Sequence, residues 1–505
     1  MRHGRRGRRP HPGAVRLPAA RYDRRSGRRP SVNERFAADA PFRARRATRA
    51  AATDPRSPGA AVERSSGDHP AVAGPPTGPV SVLFESGLAA GGAPPAGRSG
   101  PAGRSLAVLI VALGLLGAIW PLTMDLYLPS FVQLEGDFGT TASNVQLTLT
   151  AAFIGMGLGQ LVAGPISDAV GRTRPLGVAV LLYCLASLAC ALAPTITLLI
   201  GARFLQGMTS AACAVISIAI VRDVAVGDRM LILSARLSLV SGVFVVGSPA
   251  LGAQLLTIMN WRGLFWTLVC YGLLLVVIVA AVLMRHETNP PARRALRRTV
   301  RLRDDYRALA AERQFRAVVL GGGLLFGGMM AYMASSSFLF QGVFELTPTG
   351  YAIVFGGHGV LMILGAQVGA RLARAFTPQR ILFLGLAGLV GSAVLLLGSV
   401  ALLPQLGLWG FLGPLLGFVT AFGLTNPALS TVALAPHGLR AGTAASVLGA
   451  SNMAFAACLA PLAGHFGVQT PVPTAAIMVV AATTAATVFA VGFRRARVRS
   501  SRAHP

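Results

Sequence analysis

A chain of 505 residues that is 53% hydrophobic and 13% charged, with a mean hydropathy of +0.60, is too apolar for a soluble globular protein. Its net charge of +28 would suit a nucleic-acid-binding protein, but the basic residues, all arginine, lie in the N-terminal stretch and between apolar segments. This distribution argues against nucleic acid as a partner and predicts a multi-pass membrane protein.

Residues 1–104 are predicted to be a disordered arginine-rich tail. The stretch contains 20 arginines and no sustained apolar period, so it cannot bury enough apolar surface to offset chain entropy. The first long apolar run begins near Leu106, far from the start, and no cleavable secretory pattern precedes it. The tail could bind anionic lipid or RNA, or it could be inert.

Twelve apolar segments follow, each long enough to cross a hydrocarbon core of about 30 Å. The longest hydrophilic interruption, 285–316, contains ten arginines and separates the sixth segment from the seventh. The prediction is an all-α membrane protein with two six-helix bundles, 105–284 and 317–493, a basic cytoplasmic linker, 285–316, and a basic cytoplasmic tail, 494–505. The predicted spans, numbered 1 to 12, are 106–128, 144–166, 174–194, 197–221, 234–257, 263–284, 317–341, 350–373, 380–402, 406–430, 442–464 and 473–493.

The arginines predict the orientation. Loops after even-numbered spans carry most of them, for example Arg172, Arg222 and Arg374, whereas loops after odd-numbered spans are poor in basic residues. Because basic loops stay in the cytoplasm, both termini are expected there. An even number of spans requires the two termini to share a side, so the number of spans and the charge pattern agree.

Two charged residues inside predicted spans are the strongest candidates for transport chemistry. Asp125 lies near the end of span 1 and Arg203 lies in the first half of span 4, at similar predicted depths. Because an ionised side chain in hydrocarbon is costly, both are expected to face a polar cavity or each other. They could couple proton movement to transport, or they could form a fixed ion pair between the two helices.

Several motifs, in order along the chain, resemble those of the major facilitator superfamily. The turn between spans 2 and 3 reads Gly164-Pro-Ile-Ser-Asp-Ala-Val-Gly-Arg-Thr-Arg-Pro, close to the superfamily pattern G-x-x-x-D-x-x-G-R, although Ala169 replaces a common arginine. Span 4 carries Arg203, Gln206 and Gly207, and span 5 is similar to the antiporter motif, with Gly247, Pro249 and Gly252 but with Ser248 and Ala253 where glycines are usual.

The segments Asp125-Leu-Tyr-Leu-Pro, Val221-Arg-Asp and Asn260-Trp-Arg-Gly-Leu-Phe-Trp narrow the resemblance to the Bcr/CflA drug-efflux family. That family exports bicyclomycin, chloramphenicol and florfenicol. The resemblance implies that Asp125, Arg203 and Gln206 couple protons to substrate. It also implies an inner gate, in which Arg172 pairs with Asp223 and Asp168 lies near the start of span 11. The residues of this predicted gate are Asp168, Gly171, Arg172, Arg222 and Asp223.

Other polar residues in predicted spans could line a cavity. His358 could titrate near neutral pH or serve as a hydrogen-bonded packing residue. Each of the others could face the cavity or form an interhelical hydrogen bond. The candidates are Tyr127, Gln146, Gln160, Tyr332, His358, Asn426 and Asn452.

The sequence therefore predicts a drug:proton antiporter that exports small amphipathic antibiotics or other toxic compounds across the cytoplasmic membrane. It is expected to act as a monomer without cofactor or metal, driven by the proton gradient, with a small molecule, protons and the bilayer as its partners. A transporter of an amino acid, polyamine or sugar on the same fold is the alternative, and a membrane sensor or embedded enzyme is a more distant one. The five cysteines are expected to be buried packing residues.

Overall fold

The computed structural model describes residues 103–224, 228–284, 287–289 and 302–502, and within these ranges every regular element is helical. Nearly all of the predicted N-terminal tail lies outside them, as do linker residues 290–301. The first half contains α1 (Gly103–Asp125), α2 (Phe131–Phe138), α3 (Ala142–Val170), α4 (Thr173–Ala191), α5 (Ile196–Val224), α6 (Asp228–Leu255) and α7 (Trp261–Ile278). The rest contains α8 (Leu302–Ala311), α9 (Arg313–Ser337), α10 (Pro348–Leu372), α11 (Pro378–Leu402), α12 (Gly407–Leu434), α13 (Ala441–Leu459), α14 (Leu462–Phe466) and α15 (Val472–Arg502).

The predicted class of fold is confirmed. Eleven helical segments in the described ranges are long and apolar enough to cross a membrane. At the place of predicted span 5 stands α6, whose apolar part is Gly242–Leu255. Broad apolar faces of these helices are exposed, as expected of surfaces that contact lipid rather than water.

The regions outside the bundles contain more helix than the sequence predicts. The ten-residue helix α8 lies within the predicted linker, and α9 begins at Arg313 rather than at 317. Leu309 of α8 is buried, so this part of the linker packs against the bundle. Helix α15 continues to Arg502, through most of the predicted C-terminal tail.

Glycines set the closest helix contacts, and they do so in the same way in both halves. A Cβ at Gly207 of α5 would lie 2.2 Å from the carbonyl oxygen of Ala152 in α3. In the second half, a Cβ at Gly423 of α12 would lie 2.1 Å from the carbonyl oxygen of Met362 in α10. Any side chain would force either helix pair apart. The repeated contact fits two bundles built on one plan.

The end of α1 is irregular, and this positions Asp125. Helix α1 ends at Asp125, and a 3₁₀ turn, Leu128–Ser130, with Pro129 leads into α2. Helix α6 packs closely on this break, because a Cβ at Gly252 would lie 1.9 Å from the carbonyl oxygen of Leu126. Asp125 therefore lies at a helix end held between α6 and its neighbours.

Hydrogen bonds join the two halves near the start of α3, which we call the Gln146 end. The Gln146 side chain donates from Nε2 to the carbonyl oxygen of Ala334 (3.1 Å) and accepts at Oε1 from the backbone N–H of Gly464 (2.8 Å). Nearby, Gln341 Nε2 donates to the carbonyl oxygen of Pro129 (3.0 Å). The opposite end of the bundle, where α3 gives way to α4, is called the Arg172 end below.

Candidate functional site

Asp125 is buried between the halves, and no described residue pairs with it. Its side chain is 8% exposed, and the described residues give its carboxylate neither a hydrogen bond nor an ion pair. It lies within electrostatic range of the Tyr351 hydroxyl in α10, on the other half. An ionised carboxylate here would have no described partner to offset the free-energy cost of its desolvation, whereas a protonated carboxyl avoids most of that cost.

Arg203 does not pair with Asp125 in the described part of the chain, so of the two predicted arrangements, facing each other or facing a polar cavity, the direct contact is not present. The guanidinium, fully buried in α5, donates from Nη1 to the carbonyl oxygen of Thr123 (3.0 Å) and to Oε1 of Gln206 (2.6 Å). Its Cζ lies 4.3 Å from the centre of the Tyr127 ring, a cation–π distance. Neutral groups thus engage its Nη1, while its Nε has no hydrogen-bond partner among the described residues. The guanidinium holds the last turn of α1, where helix carbonyls favour a cation.

Gln206 connects Arg203 to a polar network inside the first half. Its Oε1 accepts from Arg203, and its Nε2 donates to Oγ of Ser187 (2.8 Å). Tyr183, one turn before Ser187, shares a hydrogen bond with Thr123 Oγ1 (2.9 Å). The network therefore ties α1, α4 and α5 together around the guanidinium.

In the second half, aromatic side chains line the facing surfaces of α9 and α10. The His358 ring stacks between Phe355 and Tyr332, with ring centres 5.0 and 5.5 Å away, and its Nδ1 lies 3.3 Å from the Tyr332 hydroxyl. Tyr351 shares a hydrogen bond with Ser336 Oγ at 3.0 Å. His358 is 4% exposed, so its position is that of a hydrogen-bonded packing residue.

The remaining polar candidates separate into packing and pocket residues. Tyr127 is fully buried and hydrogen-bonds Thr148, and Gln146 serves the contact between halves described above. Gln160 lies where α3 meets α13, because its Oε1 would be 2.5 Å from a Cβ at Gly449. Asn452 is 4% exposed, and its Oδ1 has no hydrogen-bond partner among the described residues.

Asn426 lines a small cavity of about 40 Å³ formed by both halves. One wall comes from α6 and the others from α10 and α12, and Asn426 supplies a polar group to a mostly apolar lining. The lining residues are Gly242, Val245, Met362, Ile363, Ala366, Phe422, Gly423, Asn426 and Pro427.

The predicted gate residues form a compact charged cluster at the Arg172 end. The Arg172 guanidinium lies 2.6 Å from Asp168 Oδ1 and 3.1 Å from Asp223 Oδ2, and it donates to Ser167 Oγ at 2.8 Å. The structure thus contains the Arg172–Asp223 contact that the resemblance implies. Gly171 ends α3 with φ of 118°, a conformation that side-chain-bearing residues rarely adopt.

The two halves also approach each other at this end. A Cβ at Gly442, in the first turn of α13, would lie 3.8 Å from Nη1 of Arg222 in α5. Arg222 is therefore the gate residue that the structure brings beside α13. The predicted approach of Asp168 to the same helix stays a prediction.

The antiporter motif of α6 is only partly a close-packing motif. Gly252 contacts the broken end of α1, as described above, but a Cβ at Gly247 would meet nothing within 4 Å. Pro249 lies inside the helix, and Ser248 hydrogen-bonds the carbonyl oxygen of Phe244, one turn earlier. The close-packing role thus falls on Gly252.

Sequence reasoning missed three residues that contact the gate cluster. These residues come after the last turn of span 6, within the predicted basic linker 285–316, and they are Glu287, Thr288 and Asn289. The one signal present was an acidic residue beside Thr and Asn in a stretch otherwise rich in arginine and proline.

The family model of the major facilitator superfamily matches residues 105–464. The chain belongs to this superfamily. It is therefore a membrane transporter, built as the sequence motifs implied. A solved bacterial homolog of the human lysosomal transporter Spinster, in an inward-facing and unoccupied conformation, has a similar fold with a TM-score of 0.58. That likeness covers 78% of this chain and 96% of the other, at 14% identity.

Among curated relatives, the uncharacterized MFS-type transporter YdgK of Bacillus subtilis is 33% identical over 79% of this chain and 98% of its own. A bicyclomycin resistance protein homolog of Haemophilus influenzae is 26% identical over 73% of this chain and 92% of its own. The chloramphenicol resistance protein of Pseudomonas aeruginosa is 29% identical over 67% of this chain and 78% of its own. The resemblance to drug-efflux transporters is thereby confirmed.

Proposed function

We propose that this superfamily member is a proton-coupled exporter of small amphipathic antibiotics or other toxic compounds, with Asp125 as the proton carrier. The observation that carries the proposal is the Asp125 carboxyl, which is buried beside the opposite half of the transporter and has no hydrogen bond to any residue that the structure describes. A group that is neutral when buried and ionised when exposed to water links proton binding to closure around it. Relatives named for bicyclomycin and chloramphenicol resistance favour drugs as the substrate class.

The two halves would rock against each other around a central drug site. The small cavity beside Asn426 marks a place where that site would open, because both halves line it. Protonation of Asp125 from outside would favour release of the drug and return of the empty transporter. Loss of the proton to the cytoplasm would reset the carrier for the next drug molecule.

The Arg172 end would face the cytoplasm, in agreement with its arginine-rich loops. There the Asp168–Arg172–Asp223 cluster would act as the inner gate, and the Gln146 contacts would close the outer side. The protein would work as a monomer in the cytoplasmic membrane with both termini inside. It needs no cofactor, since the proton gradient supplies the energy.

Everted membrane vesicles test the proposal. Vesicles are energised to an acidic interior, and the fluorescence of acridine orange reports the pH gradient. Chloramphenicol, florfenicol, bicyclomycin, an amino acid, a polyamine and a sugar are then added separately. Dissipation by a drug, absent from vesicles with the Asp125→Asn protein, supports drug:proton antiport. Dissipation by the amino acid, polyamine or sugar alone would assign the transporter to a metabolite instead.

A further inference from the structure

Glu287 binds the start of α4. It is the first of three consecutive residues, 287–289, that lie shortly after the end of span 6. Its Oε1 accepts from the backbone N–H of Arg172 at 2.8 Å. Its Oε2 accepts from the backbone N–H of Thr173 at 3.3 Å and from the Thr173 hydroxyl at 2.9 Å. One carboxylate thus binds two successive residues at the first turn of this helix.

The next two residues hold the ends of two other helices. Thr288 Oγ1 donates to Asp223 Oδ2 at the end of α5 (3.3 Å), and Asn289 Nδ2 donates to the carbonyl oxygen of Asp168 near the end of α3 (3.1 Å). The backbone N–H of Asn289 donates back to Glu287 Oε1 at 2.9 Å, which fixes the turn. We call residues 287–289 the staple, because they join α3, α4 and α5.

Helix α4 needs such an external acceptor. The residue before it, Arg172, gives no side-chain hydrogen bond to the helix start, and its guanidinium is engaged by Asp168, Ser167 and Asp223. The first N–H groups of a helix lack partners within the helix, and an anion near them is favourable. Burial alone would raise the pKa of Glu287, but hydrogen bonds from Arg172, Asn289 and Thr173 outweigh it and lower the pKa.

The far part of the linker contacts the other half at the same end of the bundle. Asp305 of α8 lies 2.9 Å from Nε of Arg440, just before α13. Glu312, between α8 and α9, lies 3.6 Å from His437 Nδ1. Linker residues on both sides of 290–301 therefore contact the bundle close to the place where the two halves meet.

We propose that Glu287 is a positioning residue of the inner gate, and that the staple makes the linker a working part of that gate. Glu287 fixes the backbone of Arg172, while Thr288 and Asn289 hold the two acidic partners of its guanidinium. The cluster is then held in its closed arrangement, and its opening is coupled to the linker through residues 287–289. The inference rests on the alternating-access function proposed above.

Spin–spin distances across the two ends of the transporter test this role without any substrate. Labels at Val178 and Leu384, exposed on α4 and α11, follow the Arg172 end. Labels at Leu192 and Leu403, exposed at the far ends of the same helices, follow the Gln146 end. The purified full-length protein carries the substitutions Cys270→Ala and Cys458→Ala, which remove the exposed thiols. Distances are measured at pH 7.5.

The variants are Glu287→Gln, Thr288→Val and Asn289→Ala, with Asp223→Asn as the gate reference. Asp304→Asn is the control, because it removes an exposed acid of the linker outside the staple. Glu287→Gln is expected to shift the population about fivefold toward opening at the Arg172 end, the equivalent of one helix cap. Thr288→Val and Asn289→Ala are expected to shift it in the same direction by less, and Asp304→Asn is expected to leave it unchanged.

Several results would overturn the staple. If Asp223→Asn shifts the distances while Glu287→Gln only lowers the melting temperature, Glu287 is a stabilising cap with no part in the gate. The same conclusion follows if Asp304→Asn shifts the population as much as Glu287→Gln does. A shift in the staple variants supports the inference even if no drug dissipates the pH gradient, in which case drug export fails and the staple stands.

Discussion

Arg203 donates a 3.0 Å hydrogen bond to the carbonyl oxygen of Thr123, two residues before Asp125 in the same chain segment. The cation therefore holds the backbone that carries the acid rather than the acid itself. Asp125 has no partner among the described residues that would stabilise its charge. The two residues can thus be tested separately, since one titrates and the other positions.

Replacing Asp125 by asparagine should abolish drug-driven proton movement and leave folding intact. Asparagine keeps the shape of the side chain and removes the titrating group, and no described hydrogen bond is lost with it. The free energy of unfolding should change by less than about 1 kcal/mol. Proton movement in vesicles and thermal unfolding in detergent measure the two effects. Full coupled transport by this variant would exclude Asp125 and turn attention to His358.

Replacing Arg203 by alanine should be at least as damaging to transport, and it should also destabilise the protein. The change removes two charge-assisted hydrogen bonds and the contact with Tyr127, and it leaves the Gln206 side chain short of a donor. The expected loss of stability is about 2 kcal/mol or more. Thermal unfolding measures it, with Arg374→Ala, an exposed arginine just after α10, as the arginine control. Equal melting temperatures for the two variants would contradict the positioning role.

Much of the fold follows from the sequence, but less of the site does. Apolar segments of sufficient length identify membrane helices. The glycine turn identifies the Arg172 cluster, because most of its residues lie close together in one motif of the sequence. The position of Arg203 relative to Asp125 could not be predicted, since helix depth does not say which way a long side chain turns. Glu287 was missed because its partners lie 114 and 115 residues earlier.

Burial in the spans was also hard to predict. Cys184, Cys190 and Cys213 are buried, as expected, but Cys270 and Cys458 are exposed. The expectation fails for these two because helix faces toward lipid are as apolar as faces toward the protein interior, so hydrophobicity does not distinguish them. Polar side chains have the same ambiguity, since packing residues such as Gln146 and pocket residues such as Asn426 share residue types.

Charge removal at the gate should shift the transporter toward opening at the Arg172 end. Asp168→Asn and Asp223→Asn each weaken a contact of the Arg172 guanidinium, at 2.6 and 3.1 Å. We expect turnover to fall several-fold while drug affinity changes less, because the drug site lies elsewhere. Crosslinking across the two ends and drug-binding titrations measure the two quantities. An unchanged ratio of conformations in both variants would refute the gate.

Removing the Gln146 side chain should favour opening at the other end. Gln146→Ala loses two hydrogen bonds between the halves, each worth about 1 kcal/mol, so the population ratio should shift by roughly tenfold or more. The distance between labels at Leu192 and Leu403 measures the shift. Asn144→Ala is the control, because Asn144 bonds Thr140 in its own half. A similar shift in the control would show that the effect is not specific to the contact between halves.

Lowering the pH should release the staple as the Glu287 carboxylate takes up a proton. The pKa of Glu287 lies below its ordinary value of 4.5, so the stabilisation it provides is present above pH 4.5 and is lost as the pH falls through the lowered pKa. The charged side chains of the same cluster are Asp168, Arg172 and Asp223. Melting temperatures of the wild type and of Glu287→Gln should differ at pH 7 and converge as the pH falls through the lowered pKa of Glu287. A constant difference across this range would assign the stabilisation to another group.

Deleting residues 2–100 should leave insertion, orientation and drug export intact. These residues lie outside the described ranges, and their sequence offers no apolar segment to the bundle. Orientation should survive because the arginines of the loops after even-numbered spans and of 285–316 still outnumber those of the opposite loops. A functional tail would act through arginine contacts with anionic lipid, so its effect would weaken with salt. Drug resistance of cells with matched membrane levels of full-length and truncated protein decides the matter, and a collapse of resistance on truncation would show that the tail takes part in transport.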